Sequence, residues 1–101
     1  MDEQRFQFEW DEVKAMANIR KHGVSFQLAS TIFQDPALFS TADLEHNRNE
    51  ERWFAIGWAT NGAILSVVYL WDLANSEITK IRLISARQST AREIWQYKEI
   101  P

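Results

Sequence analysis

The residues best suited to chemistry cluster late in the chain. From Thr79 to Arg92 every charged residue is basic: Lys80, Arg82, Arg87 and Arg92. A guanidinium fork matches a phosphate in two-point contact, and an ammonium adds point charge. The stretch begins with strand-like alternation, Ile81 and Leu83 against Lys80, Arg82 and Ile84. It ends in Thr90-Ala91-Arg92-Glu93, the spacing of a capping box. Ser85-Ala86-Arg87 is therefore expected to form a basic corner between strand and helix, a candidate anion site. Outside it, His22 is the natural acid/base group because imidazole titrates near working pH. A histidine in a last helical turn also suits the negative end of the dipole, so a cap is the competing role. Lys21 beside it could hold phosphate or lie solvated. Glu51 and Arg52 could act as base and phosphate clamp, or as an exposed ion pair worth under about 1 kcal/mol. For Arg82 and Arg87 the competing role is a salt bridge to the acidic N-terminus. His46 lies in a polar stretch and is expected to be exposed without a role. Glu93 reads as the capping-box carboxylate and Tyr97 as packing.

Other chemistries find no support. There is no glycine-rich phosphate loop and no grouping of His and carboxylates at metal spacing. With no cysteine, thiolate sites and disulfides are excluded. No serine sits with a histidine in a nucleophile motif. Neither metal nor cofactor is expected.

The elements that position these groups follow from patterning. The 101 residues, 46% hydrophobic and 25% charged, suit one soluble domain over residues 1–101. The first residues are charged and no long apolar run follows, so no signal peptide, no membrane span and a cytoplasmic location are expected. A net charge of −3 disfavours nucleic acid, but the acids crowd the N-terminus and leave the 79–92 stretch basic. Five tryptophans are many for this length and suit either a small core or a buried interface.

Phe6, Phe8 and Trp10 alternate as a half-buried strand. Asp11 caps a helix over Glu12–His22 that ends at Gly23, with Val13, Met16, Ala17 and Arg20 sharing a face. Ser25 opens a second helix, about Phe26–Phe33, stopped by Asp35-Pro36. Ala37–Thr41 is a further short strand, and Ala42–Glu50 an exposed loop. Three strands follow over Arg52–Thr60, Ala63–Trp71 and Glu77–Ser85. Asn61-Gly62 makes the first hairpin, and the apolar Ala63–Trp71 is the central strand. A helix from Ser89/Thr90 to about Glu99 closes the chain. The expected class is α+β: an antiparallel sheet of about four strands, two N-terminal helices and a C-terminal helix.

Several blocks resemble the BrnT family: Phe8-Glu9-Trp10-Asp11, Lys14, Asn18, Lys21-His22-Gly23-Val24-Ser25-Phe26, Ala29, Phe33, Asp35, Glu51-Arg52, Gly57, and Ile81-Arg82-Leu83-Ile84-Ser85-Ala86-Arg87 through Thr90, Glu93 and Tyr97. These proteins are toxins of type II toxin–antitoxin modules. The resemblance implies a RelE-like fold with a twisted sheet, metal-independent cleavage of RNA that inhibits translation, and neutralisation by a cognate BrnA-type antitoxin. DNA would be met only indirectly, through the antitoxin. In that reading His22, Glu51, Arg52 and Arg87 are catalytic, and Lys21, Lys80, Arg82 and Arg92 bind RNA phosphate. The chain departs from the family where Gln88 and Ala91 replace expected basic residues and Ile94-Trp95 are apolar. Fewer phosphate contacts predict weaker, more salt-sensitive binding. The alternative is a module that pairs with its antitoxin in a DNA-binding autorepressor without cutting RNA.

Overall fold

The computed structural model describes residues 5–43 and 51–99. In chain order these form β1 (Arg5–Glu9), α1 (Glu12–His22), α2 (Phe26–Ser30), a 3-10 turn (Thr31–Gln34), β2 (Phe39–Ala42), β3 (Trp53–Trp58), β4 (Ile64–Leu73), β5 (Ile78–Gln88) and α3 (Ala91–Glu99). The expected α+β class holds. Most of the expected loop, with His46, lies outside the described residues.

The sheet has five strands in the order β1-β5-β4-β3-β2. β2 to β5 are antiparallel, but β1 runs parallel to β5. The sheet is therefore mixed, which corrects the expectation of an antiparallel sheet of about four strands. A parallel pair needs a long crossover, and here everything between β1 and β5 supplies it. Docking at that edge lets Phe6 and Phe8 pack on Phe33, with ring centroids 5.8 and 5.5 Å away.

α1, α2 and the 3-10 turn cover one face. Phe26, Ala29 and Ile32 pack there on Ala55, Leu65, Val67, Ile81, Leu83 and Ala86. Burying each large side chain stabilises by about 1.5–3 kcal/mol. The second helix was expected to run to Phe33. It tightens into the 3-10 turn after Ser30, where the Ser30 and Thr31 hydroxyls donate to the Gln27 and Leu28 carbonyls at 2.7 and 2.6 Å.

Helix ends follow sequence chemistry. Asp11 accepts from the Val13 N–H at 2.9 Å, and Gly23 adopts φ 72° with its N–H on the Ile19 carbonyl. The inward face of α1 does not follow the apolar count. Ala15 and Asn18 are buried, while Val13, Met16 and Ile19 are 75%, 58% and 47% exposed. Hydrogen bonds from Asn18 to the sheet set that rotation.

The β3–β4 connection also departs from the expected two-residue Asn-Gly turn. Ala59 N–H bonds the Ala63 carbonyl and Gly62 N–H bonds the Ala59 carbonyl. Only Gly62 has positive φ, 88°, so this is a three-residue loop with glycine in the left-handed position. Asn61 instead uses its side chain to accept from Ala63 N–H at 3.0 Å.

Gly57 on β3 is required by space. A Cβ there would lie 2.8 Å from Leu38 Cδ1 and 3.0 Å from Ile32 Cβ. Leu38 can rotate, but the Ile32 Cβ is fixed by its backbone. Gly57→Ala should lose about 1–3 kcal/mol. Urea unfolding measures this, and an unchanged midpoint would contradict the close approach.

Candidate functional site

β5 carries the basic residues, and an irregularity in its pairing decides where they point. Tyr69 pairs with Leu83 and Val68 with Ser85, so Ile84 is an extra residue opposite the β4 ladder. Strict alternation would send Arg87 to the same face as Ile81 and Leu83. The bulge shifts the count by one. Thr79, Ile81, Leu83 and Ala86 are buried on the helix-covered side, and Lys80, Arg82 and Arg87 share the opposite face. The expected strand-to-helix corner at Ser85–Arg87 is not a corner. β5 continues through Gln88, and Arg87 stands on the strand opposite Ser66.

That opposite face is partly covered by α3. Glu93 on α3 takes both ends of the Arg87 fork, at 2.7 and 2.9 Å. The same carboxylate accepts from the Ser66 hydroxyl and the Thr90 N–H, each at 2.9 Å. The Thr90 hydroxyl in turn accepts from the Glu93 N–H at 3.2 Å, completing the expected capping box. The competing role for Arg87 was a bridge to the acidic N-terminus; its partner is Glu93. The Arg87 pair, opposed by burial and helped by the Thr90 and Ser66 bonds, holds the Glu93 carboxyl down at about 2. The Glu93 side chain is 17% exposed and that of Arg87 39%.

The sign of the pH effect follows. A carboxyl depressed in the folded state contributes stability above its unfolded pKa, about 4.5, and loses it as pH falls toward about 2. After solvent screening at the half-open arginine this amounts to about 1–2 kcal/mol. Melting temperature followed from pH 6 downward should fall more steeply for the wild type than for Glu93→Gln over that acidic window. Parallel curves would remove Glu93 as the linked group.

The far end of α3 is tied by a second carboxylate. Tyr97 O–H donates to Asp35 at 2.5 Å, and Asp35 also accepts from the Trp58 and Ala37 N–H groups at 2.9 Å. Burial acts to raise Asp35, but these three donors outweigh it and leave the carboxyl below its ordinary value. Burial, with the charge and hydrogen bond of Asp35, pushes Tyr97 up to about 12. Tyr97 is thus an anchor for α3 and not simply packing.

Nearer β1, Glu9 lies between the two other cations. Its carboxylate is 3.8 Å from Lys80 Nζ and 3.7 Å from Arg82 Nη1. For Arg82 the competing role, a bridge to the acidic N-terminal segment, is present. Register carries the row further. Arg82 pairs with Leu70, and Tyr69 pairs with Trp53, so Arg52 falls opposite Leu70 at the start of β3. The Asp43 N–H bonds the Arg52 carbonyl at 2.8 Å, continuing the β2–β3 ladder by one step. Alternation then puts Arg52 on the basic face, about 10 Å from Arg82 across two strand spacings. Glu51 is exposed and lies outside β3, one residue beyond that ladder step.

The remaining candidates are dispersed. Lys21 and Arg92 are exposed on α1 and in the first turn of α3. His22 is half-buried in the last turn of α1, on the helical side of the sheet. Among the described residues no hydrogen bond or ion pair joins His22, Lys21 or Glu51 to the β5 cations.

Two contributors were not assigned roles from the sequence. One is Glu9. The other is Asn18, buried on α1, whose amide donates to the Ala86 and Val24 carbonyls at 2.8 and 2.9 Å and accepts from the Ala86 N–H at 3.1 Å. Beyond Arg82, β5 has no β1 partner, and the Asn18 amide takes a strand's place against Ala86. The available signal was an asparagine inside a helix, where its side chain is disfavoured unless it bonds elsewhere.

A mixed sheet backed by helices is a fold shared with a known toxin. The chain resembles the 1.1 Å crystal structure of the Brucella abortus ribonuclease toxin, BrnT, with TM-score 0.55 and 24% identity, covering 86% of this chain and 99% of that one. Residues 10–93 match the family described as ribonuclease toxin, BrnT, of type II toxin–antitoxin system, and the chain belongs to that family. Membership implies an antitoxin partner. No curated protein matches the sequence. No helix among the described residues is long and apolar enough to cross a membrane.

Proposed function

We propose that the protein is a single-domain, cytoplasmic, RelE-like toxin that cuts RNA without a metal, halts translation and is neutralised by a cognate BrnA-type antitoxin. The antitoxin would supply any DNA contact. The observation that carries this is family membership joined to a basic β5 face. In such cleavage the ribose 2′-OH attacks the adjacent phosphorus, a base takes its proton, an acid protonates the leaving 5′ oxygen, and cations hold the phosphorane charge. Lys80 and Arg82 are suited to the phosphate, with Arg52 along the same row. Arg87 keeps guanidinium N–H groups beyond those held by Glu93 and can face the developing charge. Lys21 and Arg92 are outlying backbone contacts. His22 and Glu51 are the acid/base candidates.

The purified protein should cleave RNA with EDTA present, and its expression without antitoxin should arrest growth. Cleavage that returns only on adding a divalent metal would overturn the reading. One observation favours a second reading, a binding module that does not cut: Arg87 is neutralised by Glu93, and Glu9 lies against Lys80 and Arg82. In that case antitoxin binding persists while neither RNA cleavage nor arrest occurs.

A further inference from the structure

The outward stripe of α1 is built as one half of a symmetric contact. Val13, Met16 and Ile19 are exposed at positions three residues apart. Such a run lies within about 60° to either side of Met16 round the helix. Glu12 and Arg20, four residues to either side of Met16, fall inside the same arc and are also exposed. Single exposed apolar residues are ordinary, but three in line on one helix face mark a contact surface. The ends of the stripe carry opposite charge, so it complements itself when reversed.

We propose that α1 pairs antiparallel with α1 of a second copy, about a two-fold axis passing at Met16. In that arrangement Met16 meets its own copy at the axis. Val13 of each protomer packs on Ile19 of the other, and each Glu12 faces the other protomer's Arg20. This is an isologous contact, in which one patch serves both subunits. Glu12 remains available to it: one carboxylate oxygen takes the Trp10 indole N–H at 3.1 Å, and the other is open. The helix is also preorganised. Asp11 caps its start, Gly23 its end, and Asn18 clamps its inner face to β5, so little ordering is needed on contact. A seam of one short helix is at the small end of specific interfaces, so the dimer dissociates on dilution. The charged pairs make it weaker in high salt.

Sedimentation equilibrium of the full chain, over a concentration series at low and high salt, tests this. The wild type should approach twice the monomer mass as concentration rises, and Met16→Glu should stay monomeric with an unchanged melting temperature. Glu12→Arg and Arg20→Glu should each weaken association about tenfold, and the double variant should restore it. Both single changes also disturb helix-end charge, but that cost persists in the double variant, so rescue of association reports the pairing itself. A wild type that is monomeric throughout, a dimer indifferent to Met16→Glu, or a double variant without rescue would overturn the proposal. So would a monomeric wild type whose co-expressed antitoxin no longer co-purifies after Met16→Glu, since the stripe would then belong to that partner.

Discussion

Replacing Asn18 with leucine is expected to remove about 4 kcal/mol of folding stability. The side chain is buried, and its amide makes three hydrogen bonds, two with Ala86 and one with Val24. Leucine has the same branched skeleton of heavy atoms and is bulkier, so the loss does not come from a cavity. It comes from polar groups left without partners: the Ala86 N–H, the Ala86 carbonyl and the Val24 carbonyl. Each buried orphan costs about 1–3 kcal/mol, and the sum is reduced because neighbouring losses are not additive. Asn18→Asp should also fail. Its carboxylate can accept from Ala86 N–H but cannot donate to either carbonyl. Denaturant unfolding at neutral pH measures both. A leucine variant within about 1 kcal/mol of wild type would show that Asn18 does not hold β5. The effect reaches the candidate site because Ala86 precedes Arg87.

The largest functional effect is expected from Lys80→Ala combined with Arg82→Ala. RNA cleavage should fall at least about 100-fold, the scale of losing a charged stabiliser of a developing oxyanion. These residues are half-exposed, and among the described residues their ion pairs are with Glu9, so the fold should stand. Binding to single-stranded RNA should weaken at all sequences. The slope of log affinity against log salt should become shallower by about 1.4, because two fewer phosphates are neutralised. Binding to immobilised RNA from 50 to 300 mM salt gives both quantities. An unchanged salt slope with full cleavage would move the RNA to another surface. The reciprocal variant Glu9→Gln should tighten RNA binding, because it frees both cations from their carboxylate.

Much of the local structure was legible residue by residue. Asp11, Gly23, Ser25 and the Thr90–Glu93 box act through atoms within four residues of one another, so short patterns suffice. The apolar β4 was readable as the central strand because burial on both sides leaves a continuous hydrophobic run. The failures have a common physical form. The apolar count on α1 puts Val13 and Met16 on one shared face, yet an asparagine bonded to a residue 68 positions away turns that face outward. The direction of β1 depends on which edge of the sheet is open when the chain returns. Alternation alone would have turned Arg87 inward, and a one-residue bulge reversed that.

By itself the sequence determined the family, through long motifs, along with the caps, the strand order from β3 to β5 and the basic character of β5. These are properties of residue types and short spacings. Only the tertiary structure decided which basic residues share a face and which are neutralised. It paired Arg87 with Glu93 and set Glu9 against Lys80 and Arg82, and among the described residues it joined neither His22 nor Glu51 to them by a hydrogen bond or ion pair. The physical reason is that a charge acts across space within a few ångströms, and those separations arise only when distant strands come into register.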